Sequence, residues 1–227
     1  MTKRRKAIIG ILSVAVVLTA AFGILPAASG ASLQQEAISA EVQYAAAGES
    51  MLYIRCFYAS GGLKTTGSGF IIKSDGLAVT AAHVIDKATR VTAIDSAGKE
   101  LECSIVSSDM ASDVAVLRLP NGRYKALELS DSAEAGGAIL RAMGYPAKDT
   151  LIITEGLLSS PNGTVNEKQR MLVSCNIVNG MSGGPIFNRY GKVVGMCSGS
   201  VRTMSGIHLS VMWSDLCAAV NAVQISK

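Results

Sequence analysis

From Met51 onward the chain is built of short runs in which apolar residues alternate with polar ones, each run broken within a few residues by Gly, Asn, Asp or Ser. Runs of that length and period predict strands, here over 51–58, 68–73, 76–80, 90–95, 100–106 and 114–119. The cluster Pro120-Asn121-Gly122-Arg123 interrupts the series as a turn and a natural boundary. A second series then predicts strands over 125–129, 137–143, 151–159, 170–174, 184–187, 192–198 and 206–212. Trp213 to Val223 carries apolar residues at helical spacing and predicts a C-terminal helix. The expected architecture is all-β: two packed six-stranded antiparallel barrels, the first over about 49–120, the second over about 124–212, with the helix over 213–223.

The pattern before Met51 is different. Thr2-Lys3-Arg4-Arg5-Lys6 is basic, Ala7 to Leu25 is an apolar run of 19 residues, and Pro26-Ala27-Ala28-Ser29-Gly30-Ala31 is small. Basic, apolar and small in that order is the layout of an export signal. The run is also just long enough to span a bilayer as a leader helix, so cleavage near Ala31 and retention as a membrane anchor both stand. In either case the remainder is expected outside the cytoplasm, secreted or anchored to the outer face of the membrane. Residues 32–48 read as a spacer rich in helix formers, in which Ser32 and Gln35 could form a capping box.

Charge follows the same division. The formal net charge is +4, from 21 Lys+Arg against 17 Asp+Glu. Four of the basic residues precede the apolar run and every acidic residue follows it, so the body of the chain is neutral. No basic patch suggests nucleic acid as a partner. The five cysteines, Cys56, Cys103, Cys175, Cys197 and Cys217, are scattered, with no Cys-x-x-Cys spacing. Two histidines cannot complete a zinc site with them, so neither a metal nor another cofactor is expected. Most of the cysteines sit in apolar segments and read as buried free thiols.

Chemistry concentrates in Asn179-Gly180-Met181-Ser182-Gly183-Gly184-Pro185. Glycines on both sides of Ser182 let the backbone turn sharply and aim its N–H groups at one point. A hydroxyl beside bare amide donors is what acyl transfer requires. The bland alternative is a glycine-rich turn in which the serine caps something. The chain has two histidines, His83 and His208. His83 ends an apolar strand in Val79-Thr80-Ala81-Ala82-His83-Val84-Ile85, and Asp113 opens another in Ser112-Asp113-Val114-Ala115-Val116-Leu117. A serine hydroxyl is a poor nucleophile until a base takes its proton and a carboxylate holds that base in the right tautomer.

Four segments in this order, Gly67-Ser68-Gly69-Phe70-Ile71-Ile72, Thr80-Ala81-Ala82-His83-Val84-Ile85, Ser112-Asp113-Val114-Ala115-Val116-Leu117 and Gly180-Met181-Ser182-Gly183-Gly184-Pro185, resemble trypsin-like (chymotrypsin-fold) serine proteases. The likeness is greatest to bacterial HtrA-type proteases and covers roughly Glu49 to Val220. It implies a serine endopeptidase with His83 as base, Asp113 as its orienting carboxylate and Ser182 as nucleophile. It places the oxyanion hole at the N–H groups of Gly180 and Ser182. It also implies a specificity pocket lined by Asn176, Ile177, Asn179, Ser198, Gly199, Ser200 and His208. Asn176 matches the pocket floor, and an uncharged floor argues against Lys or Arg before the scissile bond, leaving small or medium apolar residues. His208 reads either as a pocket-wall residue that would favour an acidic side chain or as a core histidine satisfied by backbone. Met181 stands where animal trypsins carry an aspartate that pairs with a newly cut N-terminus, so activation of that kind is not expected. The PDZ domain that many HtrA-type proteins append is not expected after the closing helix.

Two other classes compete. Gly180-Met181-Ser182-Gly183-Gly184 also fits the nucleophile elbow of α/β-hydrolases, but no Asp or Glu lies between Ser182 and His208, as that fold would need. The stronger rival is a catalytically silent or partner-activated protease-like module that binds exposed peptide segments. Expected partners are protein or peptide substrates, the membrane through an uncleaved leader, and further copies of the chain if it oligomerises.

Overall fold

The computed structural model describes residues 36–201 and 203–225. The leader, and with it Ser32 and Gln35, lies outside them. The described chain begins with α1 (Ala40–Gly48), capped at its N-terminus by Ser39, whose hydroxyl accepts the N–H of Val42 at 3.2 Å. Six strands follow, β1 (Met51–Phe57), β2 (Leu63–Ile71), β3 (Leu77–Ala81), β4 (Arg90–Ile94), β5 (Glu100–Asp109) and β6 (Val114–Arg118), with the single helical turn α2 (Ala82–Ile85) after β3. They close antiparallel in the order β1-β2-β3-β6-β5-β4.

The second six are β7 (Ile139–Ala147), β8 (Thr150–Val165), β9 (Lys168–Val173), β10 (Pro185–Asn188), β11 (Val193–Ser200) and β12 (His208–Val211), closed in the order β10-β11-β12-β9-β8-β7. The chain then enters α3 (Trp213–Ile225). No helix among the described residues is long and apolar enough to cross a membrane.

The apolar pattern sorts these strands because side chains alternate across a strand. In β7, Leu140 and Ala142 point into the second barrel, while Met143 and Tyr145 point out, toward the first. In β10, Ile186 points in and Phe187 out. Strands buried on both faces carry near-continuous apolar runs, which is why Val193-Val194-Gly195-Met196-Cys197 shows so little polarity. One core cluster fills the first barrel and continues across Met143, Phe187, Val193, Met196 and Leu216, so the barrels and α3 share an apolar interface.

Two expectations need correction. The predicted strand over 125–129 is not one. Leu127 and Leu129 are half-buried in alternation as a strand would be, but the backbone bonds of this segment are spent on different barrels: Leu127 N–H donates to Ile71 (2.8 Å), and Val193 N–H donates to Glu128 (2.8 Å). The segment is an extended strap with one isolated bridge, Leu129 to Val193. The strand predicted over 151–159 instead runs to Val165, through Pro161. Its register with β9 shifts at Leu158/Ser160 and again at Ser160/Gly163, and a proline is tolerated where a bulge leaves its missing N–H without a ladder partner.

Candidate active site

Antiparallel pairing of β3 with β6 brings the first two residues together. Ala81 lies opposite Val114, so the next residues along each strand end carry His83 and Asp113 to the same rim of the barrel. Ala82 N–H donates to the Asp113 carbonyl at 3.2 Å, and His83 N–H donates to Asp113 Oδ1 at 3.0 Å, so the aspartate also secures the start of α2. The His83 imidazole Nδ1 lies 2.9 Å from Asp113 Oδ1 and 3.0 Å from Oδ2. Asp113 is 5 % exposed, while the His83 side chain is 40 % exposed, one face to the carboxylate and one to solvent.

Asp113 adopts φ +66°, a left-handed conformation that costs a non-glycine residue about 1–3 kcal/mol and persists only where surroundings impose it. Burial pushes its carboxyl pKa up. Bonding to the His83 side chain, the His83 charge, the Ser198 hydroxyl and the His83 N–H outweigh that and hold it below the ordinary carboxylate range. Ser198 on β11 donates its hydroxyl to Asp113 Oδ2 at 2.5 Å. The sequence offers Ser198 as a pocket residue; its bond to the carboxylate depends on how the second barrel docks, which no local pattern records.

Ser182 follows Gly180, whose φ of +91° is available to glycine and strained for other residues. A Cβ at Gly180 would stand 2.7 Å from the Tyr145 carbonyl oxygen, and one at Gly183 (φ +88°) only 2.2 Å from the Ser68 carbonyl. Ser68 ties the turn to the first barrel: its N–H donates to the Ser182 carbonyl (2.8 Å), its hydroxyl donates to the Gly180 carbonyl (2.8 Å) and accepts the Tyr145 N–H (2.8 Å). The sequence places Ser68 only within a recognisable segment and gives it no role. The N–H groups of Met181 and Gly183 bond to Val178 and Cys197 carbonyls. Among the described residues, those of Gly180 and Ser182 meet no acceptor.

A cleft of about 350 Å³ is lined by Thr65, Thr66, His83, Val84, Pro146, Asn179, Gly180 and Ser182. It therefore brings His83, Ser182 and both proposed oxyanion donors to one space. The Ser182 hydroxyl itself donates to the Ser198 carbonyl at 3.3 Å and not to His83. A second hollow of about 360 Å³, walled by Tyr44, Tyr53 and Tyr145, contains none of the candidate residues, so chemistry and not volume singles out the first.

Of the expected pocket residues Asn179 lines this cleft, whereas Asn176, Ile177, Ser198, Gly199, Ser200 and His208 are not among its lining. Asn176 is exposed, and its carbonyl accepts the Thr154 hydroxyl at 3.0 Å; Ile177 is buried in the second barrel. A Cβ at Gly199 would meet open space, and Ser200 is exposed. His208 lies opposite Ser200 and Val173 on β12. Its Nδ1 is buried without a hydrogen-bond partner among the described residues, and burial lowers the imidazole pKa. Among the described residues no three His, Cys, Asp or Glu side chains converge as metal ligands.

A family model described as a trypsin-like peptidase domain matches residues 67–196. A probable periplasmic serine endoprotease, DegP-like, from Halomonas elongata is 33 % identical over 155 residues, covering 66 % of this chain and 32 % of that protein. A protein of the same description from Pseudomonas putida is 34 % identical over 147 residues, covering 63 % of this chain and 31 % of its own length. The chain thus spans about a third of the length of the curated relatives it matches. The crystal structure of the serine endoprotease from Yersinia pestis superposes with a TM-score of 0.72 over 83 % of this chain and 68 % of that one, at 23 % identity, a likeness of fold.

Proposed function

The chain belongs to the trypsin-like peptidase domain family, and from that premise we propose that it is a serine endopeptidase that cleaves proteins outside the cytoplasm. The observation that carries the reading is the imidazole of His83, held at 2.9 and 3.0 Å by both oxygens of a nearly buried Asp113 while its other face opens on the cleft that Ser182 lines. The relatives' description as periplasmic supports the extracytoplasmic setting. Residues 49–223 form the catalytic unit, 32–48 a spacer, and 1–31 a signal or anchor.

The steps follow from the atoms. With Nδ1–H directed to Asp113, His83 presents Nε2 as the basic nitrogen. Nε2 takes the Ser182 proton as Oγ bonds to the scissile carbonyl carbon, and the carbonyl oxygen becomes an oxyanion. The N–H groups of Gly180 and Ser182 donate to that oxygen. Collapse breaks the C–N bond, and His83 returns the proton to the leaving amine. A water then repeats the sequence on the acyl-enzyme and frees Ser182. Asp113 stays ionised and stabilises the imidazolium throughout. Asn176, Ile177, Asn179, Ser198, Gly199, Ser200 and His208 form the specificity pocket, and without a carboxylate it favours small or medium apolar side chains.

A second reading, a protease-like domain quiet until a partner or assembly reorders it, is favoured by the Ser182 hydroxyl donating to Ser198 and not to His83. Hydrolysis of an unfolded protein substrate tests both. The first reading expects cleavage by the isolated chain that Ser182→Ala abolishes without loss of fold. Cleavage that survives Ser182→Ala would end the assignment, and an inert wild-type chain would favour the second reading.

A further inference from the structure

The turn that carries Asp113 is held from the other barrel. Arg170 on β9 is 5 % exposed and donates from Nη2 to the Ala111 carbonyl at 3.2 Å, and from Nη1 to the Gln169 carbonyl at 2.8 Å. Lys168 Nζ donates to the Met110 carbonyl at 2.8 Å. Two consecutive carbonyls of the first barrel are thus engaged by two cations of the second. The same turn is closed from within by Asp109, whose carboxylate accepts the Ala111 N–H (2.9 Å), the Ser112 N–H (3.2 Å) and the Ser112 hydroxyl (2.6 Å). Asp113 follows immediately, at a φ of +66° that its own backbone would not choose. Nothing in its bonds to His83 and Ser198 fixes the chain that leads into it.

We propose that Arg170, assisted by Lys168, is a positioning residue: an inter-barrel clasp that holds Asp109–Ser112 so that Asp113 stays aimed at His83. The proposal rests on the reading of His83 and Asp113 as base and orienting carboxylate. A planar guanidinium in a buried place suits the task because its donors leave at fixed angles, whereas an ammonium would hold one carbonyl without setting the direction of the next. The clasp also explains why β8 and β9 continue past the bulges at Ser160 and Gly163: without that extension Lys168 would not reach the first barrel.

The test uses the full chain with Arg170→Met, Arg170→Lys and Lys168→Ala, each alone and with Asp113→Asn. Readouts are kcat and KM on a peptide, the thermal midpoint, and the far-downfield proton resonance of the His83 N–H bonded to Asp113. Arg170→Met is expected to lower kcat about tenfold or more with KM changed less than about twofold, as small misplacements of a catalytic group do. That loss is expected to vanish in the Asp113→Asn background, the resonance to broaden or move upfield, and Arg170→Lys to recover part of both. Lys168→Ala is expected to give a smaller loss of the same pattern. A lowered thermal midpoint with kcat and resonance unchanged, or an equal kcat loss in the Asp113→Asn background, would overturn the clasp. If Arg170→Met does not fold, the exposed Lys168 decides: unchanged kcat and resonance in Lys168→Ala overturn the proposal. If the wild-type chain hydrolyses nothing, the functional reading fails by itself, and the resonance still decides on the clasp.

Discussion

At the scale of single residues the site is a set of groups held where they would not rest alone. Asp113 is nearly buried, yet its carboxyl pKa lies below the ordinary range: burial raises it, and the His83 and Ser198 donors lower it by more. A folded pKa below the unfolded value of about 3.9 means that ionised Asp113 stabilises the fold above that pH. The contribution is lost as pH falls through the folded pKa. Calorimetry should therefore show the wild-type thermal midpoint falling more steeply with acid than that of Asp113→Asn. In the same variant kcat should fall by a factor on the order of 10⁴, the imidazole having lost the partner that fixes its tautomer.

Gly183 makes a different demand at this scale. Gly183→Ala places a Cβ against the Ser68 carbonyl at a positive φ, and should destabilise the protein by more than about 1 kcal/mol in urea unfolding, with activity lost as the turn shifts. The thiols differ by burial. Burial pushes Cys56 and Cys175 up to about 11 and Cys103 up to about 12, and raises Cys197 further still. Cys217, on α3, is only half-buried, and its rise is smaller. A thiol reagent near neutral pH, read by mass mapping, should modify Cys217 in the native protein and the other four only on unfolding.

At the scale of elements, the pattern of apolar residues was legible wherever a strand pairs along its length. β1, β3, β4 and β6 lie within a few residues of their predicted places because alternation and turn residues agree there. The pattern failed where hydrogen bonding and burial part company. Leu127 and Leu129 alternate like a strand, but their backbone serves two barrels and builds no ladder. The strand predicted over 151–159 stops short of Pro161-Asn162-Gly163, yet β8 passes through them on bulges to the turn at Asn166 and Glu167, both at positive φ.

A short helix was legible within the spacer, where α1 stands capped by Ser39; the capping box offered at Ser32 and Gln35 lies outside the described residues. What docks it was not legible. Arg141 on β7, 8 % exposed, donates to Glu155 (2.7 Å), the Ile38 carbonyl (2.9 Å) and Gln43 Oε1 (3.0 Å). Arg141→Ala leaves the buried Gln43 amide oxygen and the half-buried Ile38 carbonyl unmet. It should cost about 1–3 kcal/mol in denaturant unfolding and expose residues 36–48 to added protease before the barrels unfold.

At the scale of the whole molecule, the candidate site exists because two closed barrels share an apolar face. His83 and Asp113 come from one, Ser182 and Ser198 from the other, and the bonds from Ser68, Ser198, Lys168 and Arg170 cross between them. The order His83, Asp113, Ser182 was readable because each member sits in a short segment with its own signature. The crossing bonds were not, because they join residues from 58 to 112 positions apart in the chain without any shared local pattern. The most direct measurement is labelling by a serine-directed fluorophosphonate, with the modified residue mapped. The account predicts one label per chain, on Ser182, with the rate strongly reduced in His83→Ala and Asp113→Asn while both variants remain folded. A label on another serine, or a Ser182 rate unchanged when His83 is removed, would contradict it.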